Sequence, residues 1–224
     1  MMITDATLRA YQRWARTYPP IAHNPLMRVE ERAMVALWPA VAGKRVMDLA
    51  CGSGRYAHRL SNNQAAHVVA MDFCVPMLEQ VCAGARICAD MMRLPFATHA
   101  FDVVICALAL GHAPAVEPWM TEVARVLTPG GVLLYSDFHP EAARVGLTRS
   151  FKDENDETCT VPHRCHDIAA QRAAIACAGL QLDALHEIRV GEELREPFPK
   201  SEQFYRRWHG LPIVLVVRVR KSGP

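Results

Sequence analysis

The chain has 224 residues, 51% of them hydrophobic and 21% charged, enough to bury one full core as an α/β-sized domain with or without a small appendage. Its 25 Lys and Arg against 23 Asp and Glu leave a formal charge of +2, interspersed along the chain, which argues against nucleic acid as a partner. No apolar run reaches the roughly 18 residues that span a bilayer, so no membrane partner is expected.

The first 40 residues read as a separate helical unit. Tyr11, Trp14 and Tyr18 fall at i, i+3 and i+7, which gives one helix face an aromatic stripe, and Pro19-Pro20 ends that helix. The segment lacks the charged-then-apolar layout of a secretory leader. With 8 cysteines and no CxxC pair among them, a reduced, cytoplasmic set of thiols is expected rather than a disulfide framework or a metal site.

From Arg45 onward, strand-length apolar runs alternate with helical stretches. The runs Arg45–Ala50, His67–Asp72, Ala85–Ala89, Phe101–Leu108 and Val132–Phe138 are nearly continuous in apolar character, as in strands of a parallel sheet covered on both faces. Val116, Trp119, Met120, Val123 and Leu127 form one helix face, and Thr128-Pro129-Gly130-Gly131 predicts a stop and a turn. Residues 139–165 are polar and irregular, with Asp153, Glu154, Asp156 and Glu157 marking a turn or hairpin tip. Ile168–Ala178 reads as a helix closed by Gly179, and two late strands, Leu182–Val190 and Leu211–Val219, supply an antiparallel edge.

The most informative stretch runs Val46-Met47-Asp48-Leu49-Ala50-Cys51-Gly52-Ser53-Gly54-Arg55-Tyr56, a buried strand, a tight turn of small residues and a helix start. Such a turn brings backbone close to a ligand at the carboxyl end of parallel strands. A dinucleotide fingerprint asks for glycine at positions 50, 52 and 55, where this chain has Ala, Gly and Arg, and no Gly-Lys-Ser/Thr follows for a phosphate-binding loop. Asp72 ends the second strand, Asp90 follows the third, and Leu94-Pro95-Phe96 precedes Phe101-Asp102-Val103-Val104.

Together these elements resemble the motifs of class I S-adenosylmethionine (SAM) dependent methyltransferases, of the type 11 methyltransferase-domain family. Asp48, Ala50, Gly52 and Gly54 match its first motif, with alanine where the family usually has glycine. The resemblance implies a Rossmann-like, doubly wound, mainly parallel seven-stranded sheet with an antiparallel edge strand. It also implies an N-terminal helical lid over residues 1–40 and a methyltransferase domain over 41–224, with a cap insertion at about 139–165. Asp72 would take the ribose hydroxyls, Asp90 with Met91 the adenine edge, and Phe73 and Met77 its faces. Tyr18, Cys51, Cys106 and Ala107 would complete the cofactor wall.

The activity implied is methyl transfer from SAM, leaving S-adenosylhomocysteine, to oxygen or nitrogen of a small aromatic or heterocyclic molecule. His112 and His139, just beyond the fourth and fifth strands, and His163 are the candidate positioning groups or bases. Tyr11, Trp14, Arg164 and His166 are the candidate acceptor contacts. Other SAM chemistry on the same fold, or a non-catalytic SAM or nucleoside-binding module, remain the alternatives, and the chain would act as a monomer or homodimer.

Overall fold

A computed structural model describes residues 5–195 and 201–223. Two helices open the chain, α1 (Asp5–Trp14) and α2 (Pro25–Ala36). There follow β1 (Arg45–Leu49), α3 (Arg55–Asn62), β2 (His67–Asp72), α4 (Val75–Leu78), β3 (Ala85–Cys88), β4 (Phe101–Ala107), α5 (Val116–Val126) and β5 (Leu127–Phe138). The second half holds α6 (Pro140–Arg144), β6 (Ser150–Lys152), β7 (Thr158–Thr160), α7 (Ile168–Cys177), β8 (Leu180–Arg189), α8 (Ser201–Trp208) and β9 (Pro212–Lys221).

Seven strands form one sheet in the order β3-β2-β1-β4-β5-β9-β8. β1 to β5 pair in parallel, whereas β9 runs antiparallel to both β5 and β8. The reversed strand therefore lies one place in from the edge, inserted between β5 and β8. The expected Rossmann-like sheet is present.

Side chains alternate between two core layers, which explains the continuous apolar runs. Met47, Leu49, Val104, Leu133 and Tyr135 join α5 and α7 on one face, while Val46, Val103, Ile105, Leu134 and Val216 join α2 and α3 on the other. Among the described residues, no helix is long and apolar enough to cross a membrane.

Three local expectations change. The aromatic N-terminal helix ends at Trp14 rather than at Pro19: the chain leaves through a turn, Thr17 N–H to the Trp14 carbonyl at 2.9 Å, before it reaches Tyr18, the residue that Pro19 biases away from helical geometry. Residues 1–40 are not one separate unit: α2 packs on the sheet, with Met27, Val29 and Met34 buried and Glu30 hydrogen-bonded to Ser136 of β5. The stretch Thr128–Gly131 does not separate α5 from its strand, since β5 begins at Leu127. Register jumps from Phe101–Leu127 to Val103–Val132, and the four residues form a bulge closed on itself. A Cβ on Gly131 would lie 2.8 Å from the Thr128 carbonyl oxygen.

Candidate active site

Strand order reverses between β1 and β4, and their carboxyl ends open a crevice of the kind that binds ligands in doubly wound sheets. A cavity of about 490 Å³ occupies it, within the range of small-molecule sites. Its floor is the turn after β1. Cys51 N–H donates to the Met71 carbonyl at 3.0 Å, pinning the turn to β2. Ala50 (φ +56°), Gly52 (+55°) and Gly54 (+88°) all take left-handed backbone, which explains the run of small residues.

Two carboxylates organise this turn. Asp48 Oδ2 accepts the Ala57 N–H at 2.7 Å and so caps the start of α3 from the strand. Asp72 accepts the Gly52 N–H at 2.8 Å and the Cys74 N–H at 2.9 Å. Both line the cavity and both are buried. Burial pushes Asp48 up to about 7 and raises Asp72 as well.

Aromatic rings roof the cavity. Tyr11 meets Phe73 edge-on at 6.0 Å and His112 at 5.3 Å, and Trp14 meets Tyr18 at 4.8 Å. Tyr18 stands over the turn, with Cε1 3.9 Å from where a Cβ on Gly52 would sit. The Tyr11 hydroxyl joins His112 Nε2 at 2.8 Å and accepts from Arg149 Nη1 at 2.9 Å. Burial lifts Tyr11 to about 12 and, with Arg149 and His163 nearby, lowers His112 well below the usual imidazole value.

Tyr11, Trp14, Tyr18, Asp48, Ala50, Cys51, Gly52, Asp72, Phe73, Met77, Ala107 and His112 come together on this cavity. The other candidates lie elsewhere. Gly54 stands behind the turn, its Cβ position 3.0 Å from the Val81 side chain. Asp90 accepts the Met92 N–H at 2.9 Å and so caps its own loop, and Met91 is buried in the core. Cys106 points into the α5–α7 layer because β4 alternates, leaving Ala107 on the cavity face. His139 caps α6 through Nδ1 and reaches Glu187 through Nε2 at 3.0 Å, outside the cavity. His163 packs against the Phe138 ring from outside the lining, at 4.9 Å, and burial and Arg149 push it down to about 4. Arg164 is exposed, its backbone N–H held by the Gly111 carbonyl at 2.7 Å, and His166 bonds the Ala113 carbonyl at 3.1 Å.

Four lining groups carry no signal in the sequence. Arg149 arrives from the irregular segment before β6, and Arg55 is paired to buried Glu30 of α2 at 2.7 Å. Asn24–Met27 reach the cavity from the start of α2, and Phe204, Arg207 and Trp208 from α8. Arg55 follows the glycine turn directly, whereas each of the others depends on where a distant segment folds back.

The family described as "Methyltransferase domain" has a sequence model that matches residues 47–135. A probable phthiotriol/phenolphthiotriol dimycocerosates methyltransferase 2 from Mycobacterium ulcerans is 31% identical over 226 residues, covering 90% of this chain and 75% of the relative. The chain belongs to the class I SAM-dependent methyltransferases. A demethylmenaquinone methyltransferase from Clavibacter sepedonicus is 34% identical over 144 residues, 60% of this chain and 56% of that protein. This methyltransferase chain spans about half the length of several such curated relatives. Its fold matches a crystal structure of a SAM-dependent methyltransferase from Mesorhizobium loti with a TM-score of 0.71 at 21% identity, covering 86% of this chain and 98% of that one.

The cavity suits the cofactor of the family. A carboxylate at the end of β2 lies beside a backbone that small residues leave bare, and Phe73 and Met77 line an apolar slot. Ionised Asp48 and Asp72, disfavoured by burial, gain from a cationic ligand.

Proposed function

We propose that the cavity binds SAM and that the chain transfers its methyl group to an oxygen or nitrogen of a small molecule, aromatic or heterocyclic. The observation that carries this reading is Asp72 set against Gly52 N–H at 2.8 Å beneath the cavity, at the point where strand order reverses. Bound SAM supplies an activated methyl on a sulfonium. Asp72 would hold the ribose, the Ala50–Gly52 backbone would take the amino-acid end, and Phe73 and Met77 would supply the apolar contacts to the base. Tyr11 and Tyr18 shut out water from above. Ala107 at the end of β4, and Leu108 and His112 beyond it, face the acceptor.

The lid in this reading is α1 together with the β6–β7 hairpin, while α2 belongs to the domain proper. Eight unpaired cysteines support a reducing, cytoplasmic setting. Isothermal titration with S-adenosylhomocysteine tests the cofactor assignment. Binding is expected, weakened at least roughly tenfold by Asp72→Ala, as for the loss of a hydrogen-bonded charged group. Absence of binding to the parent chain overturns the assignment. Binding without methyl transfer across a broad panel of hydroxylated and heterocyclic acceptors overturns the activity alone.

A further inference from the structure

Arg149 is a buried cation that neither the glycine turn nor the adenine slot accounts for. It lines the cavity at 8% exposure. Nη1 donates to the Tyr11 hydroxyl at 2.9 Å, Nη2 donates to the Leu108 carbonyl at 2.5 Å, and the guanidinium lies 4.7 Å over the Phe138 ring. Nε is buried with no hydrogen-bond partner. Among the described residues the one carboxylate within ion-pair range is Asp137, 3.9 Å away and outside the cavity lining. Arg55, the other enclosed guanidinium on the wall, is by contrast fully matched by Glu30 at 2.7 Å. A buried charge without a hydrogen-bonded counter-ion is unfavourable, and such groups cluster where a ligand completes them.

At the same end of the cavity the titratable groups are tied up with one another. The Tyr11 hydroxyl accepts from Arg149 and shares a second hydrogen bond with His112 Nε2, so the hydroxyl and that ring nitrogen are already engaged with each other. His139 serves α6 and Glu187, and His163 stands outside the lining, against Phe138. The site thus provides a cation whose neighbouring titratable groups are bonded to one another or stand outside the lining. That arrangement fits an acceptor that arrives already ionised.

We propose that the acceptor is a carboxylate, docked on the Arg149 guanidinium and methylated on oxygen without base assistance. This rests on the SAM reading of the cavity. A carboxylate oxygen attacks the methyl carbon, the carbon–sulfur bond breaks, and its electron pair returns to sulfur. Sulfonium becomes neutral thioether, carboxylate becomes neutral methyl ester, and no proton moves. The planar fork of Arg149, fixed by Tyr11 and the Leu108 carbonyl beside Ala107, orients the carboxylate. The ester product loses the charge that held it, which favours release.

The test uses the protein saturated with S-adenosylhomocysteine and titrated with benzoate, octanoate, benzamide and octanamide, each acid matched in shape by its neutral amide. At least one carboxylate is expected to bind roughly tenfold or more tightly than its amide, the scale of one charge-assisted hydrogen-bond pair. Arg149→Gln is expected to abolish that preference while leaving S-adenosylhomocysteine affinity within a few-fold of the parent. If Arg149→Gln does not fold, Arg149→Lys replaces it. Lysine keeps the charge and loses the fork, so the preference is expected to fall several-fold. S-adenosylhomocysteine binding with no carboxylate preference in the parent overturns the proposal, as does an unchanged preference in the variant that folds. Failure of S-adenosylhomocysteine itself to bind overturns the cofactor reading instead.

Discussion

Ala50 occupies left-handed backbone at φ +56°, where the family motif usually has glycine. An L side chain there is unfavourable by about 1–2 kcal/mol, and glycine recovers this less its extra unfolded-state entropy of about 0.5–1 kcal/mol. Ala50→Gly is therefore expected to stabilise the chain by about 0.5–1 kcal/mol in urea unfolding. A destabilised variant would show that the methyl group packs against something that outweighs the strain. Glu30 is a different case. It is fully buried and takes hydrogen bonds from Arg55, Tyr56 and Ser136, joining α2, α3 and β5. Glu30→Ala leaves Arg55 enclosed and uncompensated, with an expected loss of about 3–5 kcal/mol. A loss below about 1 kcal/mol in the same unfolding measurement would mean that water replaces the carboxylate. Neither Glu30 nor Arg149 could be picked out from neighbouring residues, because the partners of Glu30 lie 25 to 106 positions away and Tyr11 lies 138 positions from Arg149. Asp48 and Asp72 could, because motif and site there are the same short strand ends.

At the scale of elements, α1 is clasped to the β6–β7 hairpin. The acidic tip read from the sequence is the turn of that hairpin. Arg13 pairs with Asp153 and Glu157, Arg16 with Glu154 at 2.5 Å, and Trp14 stacks on Phe151 at 4.5 Å and 6°. Exposed ion pairs contribute about 0–1 kcal/mol, whereas a buried aromatic stack contributes its burial besides. Trp14→Ala is accordingly expected to free α1, raising the dissociation rate of S-adenosylhomocysteine roughly three- to tenfold and speeding tryptic cleavage within residues 5–18. Arg16→Ala is expected to change both by less than about twofold. Equal effects of the two substitutions in stopped-flow release would refute the stack as the hinge-holding contact. The aromatic spacing of Tyr11, Trp14 and Tyr18 was legible as a pattern. Its partner Phe151 was not, since periodicity describes one element and says nothing about which distant one it faces.

Across the whole molecule, the buried carboxylates set a pH dependence. Asp48 is raised from 3.8 to about 7 in the folded chain, so between those values the folded state holds more protons than the unfolded one. Stability contributed by this group is present at low pH and is lost as pH rises from about 4 through 7. Asp137, raised to about 6, acts in the same direction, while His163, lowered to about 4, opposes both. Comparison of Asp48→Asn with the parent isolates the first contribution, since asparagine can still accept the Ala57 N–H. In urea unfolding between pH 4 and 8 without cofactor, the parent is expected to lose stability relative to the variant by a few kcal/mol as pH rises. Parallel curves would show that Asp48 stays ionised.

The sequence by itself determined the parallel sheet, the turn of small residues after β1 and the acidic ends of β1 and β2. These are local consequences of period, backbone sterics and strand termini, all written within short stretches of chain. Only the tertiary structure decided which histidine stands at the cavity, which face Cys106 takes, and that Arg55 is hydrogen-bonded to its counter-ion while Arg149 is 3.9 Å from Asp137 and not hydrogen-bonded to it. Those outcomes depend on strand register and on loops returning from more than a hundred residues away, and no local pattern encodes where such a loop lands. The physical character of that end of the cavity follows from that return: a buried guanidinium, an imidazole bonded to Tyr11, and a wall supplied by Tyr11 and Trp14 of α1.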